Sequence, residues 1–245
     1  MIDKIFNEDC LIGMQRIPDK SIDCIICDLP YGTTKNHWDC VIPFESLWKQ
    51  FKRITKDNAA IVLFGQQPFT SLLVMSNINM FRYELIWEKE QGTGFLNAKK
   101  MPLKSHENIL VFYDKLPTYN PQMTKGSKYN KHRRTNGSDN YGSYEVVNTE
   151  NAGVRYPLSV IKCHRDFFKK HNTQKPVELI RYLIRTFSNE EETILDATIG
   201  SGTTAIAAMR ENRHFIGFEL EKRYYDIACK RIEEERQNLK LEFND

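Results

Sequence analysis

The first 114 residues alternate short apolar runs with segments whose apolar residues recur at helical spacing. Met1–Phe6 also begins the chain in a strand-like pattern. The apolar runs predict strands at Ile22–Asp28, Ala59–Gly65, Tyr83–Trp87 and Asn108–Tyr113. Between them, the spacing predicts helices over Pro43–Ile54 and Pro68–Asn77.

Periodicity is lost from about residue 115 to 170, where Asn, Gly, Ser, Lys and Tyr accumulate, and it returns after His171. Pro176 is predicted to open a helix, because proline suits the first helical turn. The remaining predicted elements are a strand at Thr193–Asp196, a helix at Thr203–Asn212, a strand at His214–Phe218 and a charged helix from about Glu221 to Gln237. Strands alternating with helices predict an α/β fold with a doubly wound, mostly parallel sheet. We therefore expect a single domain over 1–245, divided into halves 1–114 and 171–245 by an inserted segment, 115–170.

Composition narrows the class of protein. The 245 residues are 40% hydrophobic and 27% charged, as is ordinary for one α/β domain. A mean hydropathy of −0.55 and apolar runs of about six residues at most argue against a membrane-spanning helix. Because the first residues also lack the apolar core of a secretion signal, we expect a cytoplasmic protein.

Charge is unevenly distributed along the chain. The net charge is +3, but residues 115–170 hold eleven Lys and Arg against four Asp and Glu. A basic segment on a mildly acidic body is typical of a protein that binds a phosphate backbone. The candidate DNA contacts are Lys125, Lys128, Lys131, Arg133 and Arg134.

The cysteine pattern does not predict a metal site. Cys24 and Cys27 form the one C-x-x-C among six cysteines, and they lie within a predicted buried strand. Residues three apart on a strand point to opposite faces, so the two thiols are not expected to share a metal ion.

The segment Leu195–Thr204 combines a strand, a glycine turn and a helix start. Gly200 and Gly202 would let a ligand approach the backbone at the helix N-terminus. Glu219 closes the next predicted strand, seventeen residues after Gly202, which suits a carboxylate that accepts ribose hydroxyls. The pattern favours an adenosine cofactor smaller than a dinucleotide, because no third glycine follows. Plain packing of strand against helix is the alternative.

A second motif, Asp28-Leu29-Pro30-Tyr31, stands where the predicted strand beginning at Ile22 ends. Ligands of doubly wound folds bind at such carboxyl ends. The Asp28 carboxylate and the Leu29 carbonyl could each accept one hydrogen of an exocyclic amine, while Tyr31 stacks on the base. The alternative is that Asp28 caps a turn and Tyr31 fills the core.

Together these motifs resemble the amino-methyltransferases of DNA, with the catalytic motif before the cofactor motif, as in the β class. The segments that carry the resemblance are Asn7–Cys10, Asp28–Tyr31, Trp87–Lys89, His106–Phe112, His171–Pro176 and Leu195–Thr204. From the second onward, they are similar to D-P-P-Y, W-x-K, H-E-x-I-L-V-F, H-x-T-Q-K-P and L-D-P-F-x-G-S-G-T-T.

The resemblance implies methyl transfer from S-adenosylmethionine to the N6 nitrogen of adenine in double-stranded DNA, after the base is flipped out of the helix. It implies that the catalytic residues are Asp28, Leu29, Pro30 and Tyr31. It implies that the cofactor contacts are Asp9, Thr173, Lys175, Asp196, Gly200, Gly202, Thr203 and Glu219. Leu29 replaces the family's first proline, and Ala197-Thr198 replaces Pro-Phe. Neither departure removes a charged group.

Several alternatives remain open at this point. Transfer to N4 of cytosine would use the same fold, and an RNA adenine methyltransferase or a non-catalytic DNA-binding subunit would share some of the motifs. The sequence does not specify the recognition site, and it leaves open a homodimer and a partner restriction endonuclease.

Overall fold

The computed structural model of the protein describes residues 1–34, 36–37, 39–131, 137–138, 142–143, 148–164 and 174–242. Its strands are β1 (Lys4–Asn7), β2 (Ile22–Cys27), β3 (Thr55–Gly65), β4 (Phe81–Thr93), β5 (Lys104–Phe112), β6 (Thr124–Lys125), β7 (Tyr129–Lys131), β8 (Gly137–Ser138), β9 (Gly142–Ser143), β10 (Thr149–Asn151), β11 (Val154–Arg155), β12 (Val160–Lys162), β13 (Thr193–Asp196) and β14 (His214–Glu219). Its helices are α1 (Cys10–Gly13), α2 (Phe44–Ile54), α3 (Phe69–Ser76), α4 (Val177–Phe187), α5 (Thr203–Arg210) and α6 (Lys222–Glu242). Within these ranges, none of the helices has the length and apolarity needed to cross a membrane.

An eight-stranded sheet organises the larger part of the chain, in the order β1-β14-β13-β2-β3-β5-β4-β12. The five strands from β1 to β3 in that order run parallel to one another. Strand β5 is antiparallel to both β3 and β4, and β12 is parallel to β4. The predicted α/β class with a doubly wound, mostly parallel sheet is confirmed.

Helices cover both faces of this sheet, because successive residues of its central strands point to opposite sides. Ile25 and Cys27 of β2 pack in one core with α2 and α3. Cys24 and Ile26 pack in the other core with α4 and α5. The expectation that Cys24 and Cys27 face opposite sides is therefore confirmed.

Most predicted elements lie within one or two residues of the observed ones, and strand β13 matches its prediction at both ends. Strands β3 and β5 each begin four residues before their predicted starts, and α6 ends five residues after its predicted end. Strand β4 is longer than predicted, since it extends from Phe81 to Thr93. Strand β12 lies inside the range 115–170, where no periodicity indicates a strand, and it pairs with Ile86–Glu88 at the edge of the sheet. A strand of three residues is too short to leave a pattern in the sequence.

The chain divides into two compact units. The larger comprises Met1–Asn120 and Ser159–Asp245, and the smaller comprises Pro121–Leu158. In the smaller unit, β6 pairs with β11 and β7 with β10, both antiparallel. Arg155 lies over the Tyr129 ring at 4.6 Å and donates a hydrogen bond to Asn151 Oδ1 at 2.5 Å.

Candidate active site

The glycine turn joins β13 to α5 at the carboxyl edge of the sheet. Gly200 and Gly202 have φ values of +55° and +85°, in the left-handed region that favours glycine. A Cβ at Gly202 would lie 3.1 Å from the Cβ of Ala228 in α6. Gly202 therefore serves the packing of α6 as well as the turn, so the two readings of this motif are not exclusive.

Asp196 ends β13 and is buried beneath the turn. Its Oδ1 accepts a hydrogen bond from the Thr198 N–H at 3.0 Å, and its Oδ2 accepts one from the Thr204 hydroxyl at 2.6 Å. Burial outweighs these hydrogen bonds and raises the pKa of Asp196 to about 7. Burial therefore disfavours the charged form of Asp196 when no cation is nearby.

Glu219 ends β14 and faces the same turn. Its Oε2 accepts a hydrogen bond from the Gly200 N–H at 2.9 Å, and its Oε1 accepts one from the Glu221 N–H at 2.8 Å. Burial raises its pKa despite these contacts. Each carboxylate oxygen has a second acceptor position, so the group can still receive two hydroxyl hydrogens.

A cavity of about 360 Å³ opens beside Glu219, a volume within the range of small-molecule sites. Asp9 lines it at the start of α1, where its Oδ1 accepts a hydrogen bond from the Leu11 N–H at 2.7 Å. A cavity of about 60 Å³ is lined by Asp28, Lys175 and Asp196. Since Thr198 lines both cavities, they adjoin.

The tetrapeptide that follows β2 is tied to the glycine turn. The Thr198 hydroxyl donates a hydrogen bond to the Asp28 backbone carbonyl at 3.0 Å. The Tyr31 hydroxyl donates one to Asp28 Oδ1 at 2.6 Å, and its ring packs against Phe69 at 5.0 Å. Leu29 is buried in the core, which accounts for an apolar side chain where the family has proline. Pro30 lines the larger cavity.

Lys175 lies at the centre of a buried ionic cluster. Its ammonium contacts the Asp28 carboxylate and lies 3.1 Å from Glu107 Oε2, while Lys89 contacts the other Glu107 oxygen. Burial opposes charge on Lys175, but the two carboxylates outweigh it and raise the pKa of Lys175. The two lysines likewise lower the pKa of Glu107 in spite of its burial. Two cations and two anions make the cluster neutral.

Another carboxylate, that of Asp39, shapes the loop after the tetrapeptide. Asp39 accepts hydrogen bonds from the N–H groups of Gly32, Thr33 and Thr34 at 2.8, 2.9 and 2.7 Å. Burial acts against the charge of Asp39, but these donors outweigh it and lower its pKa. The loop thereby has a defined shape where it leaves Tyr31.

The structure brings together most of the residues that the sequence proposes for this site. All of the described candidates outside the basic segment line one of the two adjoining cavities or contact a residue that does, and Gly202 does so through its N–H, which donates to the Ile199 carbonyl at 2.9 Å. Lys175 is placed on the Asp28 carboxylate rather than on the glycine turn, although it also lines the smaller cavity. Thr173 lies outside the described residues.

Sequence reasoning assigned no role to Lys89, Glu107, Thr198 or Asp39. The first two stand in the quoted W-x-K and H-E segments, which were the available signal. Thr198 stands in the quoted segment Leu195–Thr204, but its contact with the Asp28 carbonyl depends on a distant part of the chain. Asp39 had no such signal, because its contacts are with backbone N–H groups of a turn.

The basic candidates belong to the smaller unit. Lys125, Lys128 and Lys131 are exposed there. Arg133 and Arg134 lie outside the described residues.

Comparison with known proteins supplies an independent line of observation. A family model described as DNA methylase matches residues 22–230. The Type II methyltransferase M.HindIII of Haemophilus influenzae is 24% identical, and the match covers 97% of each chain. The Type II methyltransferase M1.MboII of Moraxella bovis is 28% identical, over 93% of this chain and 95% of that one.

Solved structures share the fold. The M1.HpyAVI–SAM complex superposes with a TM-score of 0.64 at 23% identity, covering 93% of this chain and 98% of that chain. The PvuII cytosine-N4-specific DNA methyltransferase gives a TM-score of 0.64 at 15% identity, covering 92% and 84%.

Proposed function

Since the chain belongs to the DNA methylase family, we propose that it methylates the exocyclic N6 nitrogen of adenine in duplex DNA, with S-adenosylmethionine as methyl donor. The observation that carries the proposal is the position of Asp28. Its carboxylate lines the smaller of two adjoining cavities, and the Thr198 hydroxyl joins its backbone to the glycine turn. The residues proposed to bind the target amine and those proposed to bind the cofactor therefore lie at one edge of the sheet.

The residues at the two cavities fit this cofactor. The larger cavity has room for an adenosine, and Glu219 at its wall retains acceptor positions for ribose hydroxyls. Asp196 faces the smaller cavity with a pKa raised to about 7, so a cationic group there would stabilise its charged form. When bound, S-adenosylmethionine supplies an electrophilic methyl group on a positively charged sulfur.

Asp28 and Leu29 act on the target amine. The Asp28 carboxylate and the Leu29 carbonyl accept its two hydrogens, which directs the nitrogen lone pair toward the cofactor side. Asp28 then accepts the proton that the nitrogen releases. Before the base arrives, the Asp28 oxygens contact the Tyr31 hydroxyl and the Lys175 ammonium. The amine must therefore displace one contact or share an oxygen with it.

The sequence of the tetrapeptide favours adenine over cytosine as the target base. Within the family that the motifs resemble, an acid in the first position usually accompanies N6 of adenine, and Asp28 is that acid. N4 of cytosine is the second candidate, because a structure with the same fold belongs to a cytosine-N4-specific enzyme. Both bases offer an exocyclic amine to the same acceptors.

DNA recognition is assigned to the segment 115–170. Its described lysines Lys125, Lys128 and Lys131 are exposed, as phosphate or guanine contacts must be. Arg133 and Arg134 are proposed to join them. The named relatives are Type II methyltransferases, so action in the cytoplasm beside a restriction endonuclease, as a monomer or a homodimer, belongs to the same proposal.

The test is transfer of labelled methyl groups from S-adenosylmethionine to unmethylated duplex DNA, followed by mass spectrometry of the nucleosides. The expected product is N6-methyldeoxyadenosine. Label on N4 of cytosine would overturn the choice of base, but the proposed cofactor and the transfer to an exocyclic amine of DNA would stand. Cofactor binding with no labelled DNA would overturn the activity and favour the RNA or non-catalytic alternatives.

A further inference from the structure

The turn between β4 and β5 presents large apolar side chains to solvent. Phe95 is 76% exposed, Leu96 is 84% exposed and Met101 is 58% exposed. Exposing neighbouring apolar side chains is unfavourable, and such patches usually mark an interaction surface. We call residues 94–103 the apolar turn.

Hydrogen bonds hold the apolar turn in a defined conformation. The Asn97 N–H donates to the Gly94 carbonyl at 2.9 Å, and the Lys100 N–H donates to the Asn97 carbonyl at 2.8 Å. At its base, Leu103 packs closely against Gly92. A Cβ added to Gly92 would lie only 2.6 Å from the Cβ of Leu103. The exposed side chains therefore stand on an ordered support.

The charge of this region suits a nucleic acid. Residues 91–105 contain Lys99, Lys100 and Lys104 and no Asp or Glu. Phe, Leu, Met and Pro are the side chains that proteins insert between base steps of DNA, and lysines beside them pair with phosphates. A polyanion that also offers apolar base faces matches both properties of the apolar turn.

The apolar turn lies at the edge of the sheet that carries the catalytic carboxylate. Strand β4 is antiparallel to β5, which is antiparallel to β3, so β4 runs in the direction of β2. The carboxyl ends of β2 and β4 therefore lie at the same edge. Side-chain contacts connect Asp28 through Lys175 and Glu107 to Lys89, four residues before β4 ends at Thr93.

We infer that Phe95 and Leu96 enter the duplex and fill the space that the target base leaves when it moves to Asp28, while Lys99 and Lys100 contact the flanking phosphates. This inference rests on the proposed function. A base drawn out of the stack leaves an unfavourable gap, and apolar groups that fill it stabilise the displaced state.

The test compares two duplexes, after the recognition sequence has been read from plasmid DNA methylated by the wild-type enzyme. One duplex is fully paired, and the other has an abasic site opposite the target base, which lowers the cost of displacement. Phe95→Ala with Leu96→Ala should slow single-turnover methylation of the paired duplex about tenfold or more. On the abasic duplex the loss should be much smaller, and cofactor affinity should be unchanged.

The matched control is Leu72→Ala with Met75→Ala. These side chains are 58% and 70% exposed on α3, which leads away from the catalytic edge toward the start of β4, and their loss should leave both rates unchanged. An independent readout is the fluorescence of 2-aminopurine at the target position, which increases when the base leaves the stack. This increase on binding should be smaller than in the wild type for the Phe95/Leu96 variant and unchanged for the control.

The outcomes separate this inference from the proposed function. An equal loss of methylation rate on both duplexes, or no loss on either, would overturn the inference. The proposed function would still stand, because the wild-type enzyme methylates the DNA. Conversion of a dimer to a monomer with an unchanged rate on paired DNA would assign the apolar turn to a second copy of the chain. Failure of the wild-type enzyme to methylate any DNA would overturn both.

Discussion

Two pairs of carboxylates, each with one buried and one partly buried member, line the catalytic edge of the sheet, and different kinds of donor stabilise them. Asp196 and Glu219 accept hydrogen bonds from backbone N–H groups and a hydroxyl, and no ion pair to either forms among the described residues. Asp28 and Glu107 contact lysine ammonium groups instead. The first pair holds negative charge with no cation, whereas the second is neutralised by Lys175 and Lys89.

The difference matches the charges of the two proposed ligands. Burial raises the pKa of Asp196 and of Glu219, so a cationic cofactor would relieve a cost already present in the protein. A nucleobase is neutral and brings no compensating charge. The catalytic side must therefore balance its own carboxylates, and its lysines lower the pKa of Glu107.

The largest effect is expected from Asp28→Ala. Loss of the acceptor for the amine proton should lower the rate of methyl transfer by about 10²–10⁴-fold. Cofactor and DNA affinity should stay close to wild type, because the target amine is the only ligand group that the Asp28 carboxylate contacts and the other proposed contacts to both ligands remain. Single-turnover kinetics and separate binding titrations measure these quantities. Wild-type turnover by the variant would remove Asp28 from the mechanism.

Removing one cation from the neutral cluster should destabilise the fold. Lys175→Met leaves Asp28 and Glu107 with Lys89 alone, and should lower the free energy of unfolding by about 3 kcal/mol. Adding Glu107→Gln restores neutrality, so the double variant should be more stable than the sum of the two single effects. Urea denaturation at pH 7 measures all three variants. Strict additivity would show that the cluster does not act as a charge-balanced unit.

Cofactor binding should depend on pH through Asp196. Without the cofactor, its pKa is about 7, and a bound cation should lower that value. Binding then releases a proton near and below pH 7, so affinity should fall as the pH drops through 7, by at most about tenfold per pH unit. Calorimetry in buffers of different ionisation enthalpy measures the proton release. Asp196→Asn should bind more weakly with a flatter pH profile, and an unchanged profile would exclude Asp196 as its source.

The smallest effect concerns DNA affinity. If the catalytic cluster is neutral, attraction for phosphates must come from other groups, and the exposed lysines of the smaller unit are candidates. Lys128→Ala with Lys131→Ala should reduce the slope of log affinity against log salt by about 1–2. Arg133→Ala with Arg134→Ala should act similarly. Lys49→Ala with Lys52→Ala, on the exposed side of α2, is the matched control, and an equal change there would place the DNA surface elsewhere.

Local patterns predicted the elements that border the site. Strand β2 is buried on both faces, so its apolar run stands out, and β13 is equally plain between polar segments. The helix after Pro176 shows one apolar face and was predicted accordingly. Strand β12 and the full length of β4 were not predicted, because edge segments with mixed exposure carry little periodicity.

The sequence by itself determined the chemical groups of the candidate site: the Asp28 tetrapeptide, the glycine turn and Glu219 each stand where a strand ends, and local periodicity reveals strand ends. Only the tertiary structure decided how those groups are paired. Lys175 reaches Asp28 across 147 residues of chain, and Lys89 meets Glu107 across 18. Such contacts follow from the order of strands in the sheet, which buries charges that must then find partners. Periodicity records which face of an element is buried, but not which element becomes its neighbour.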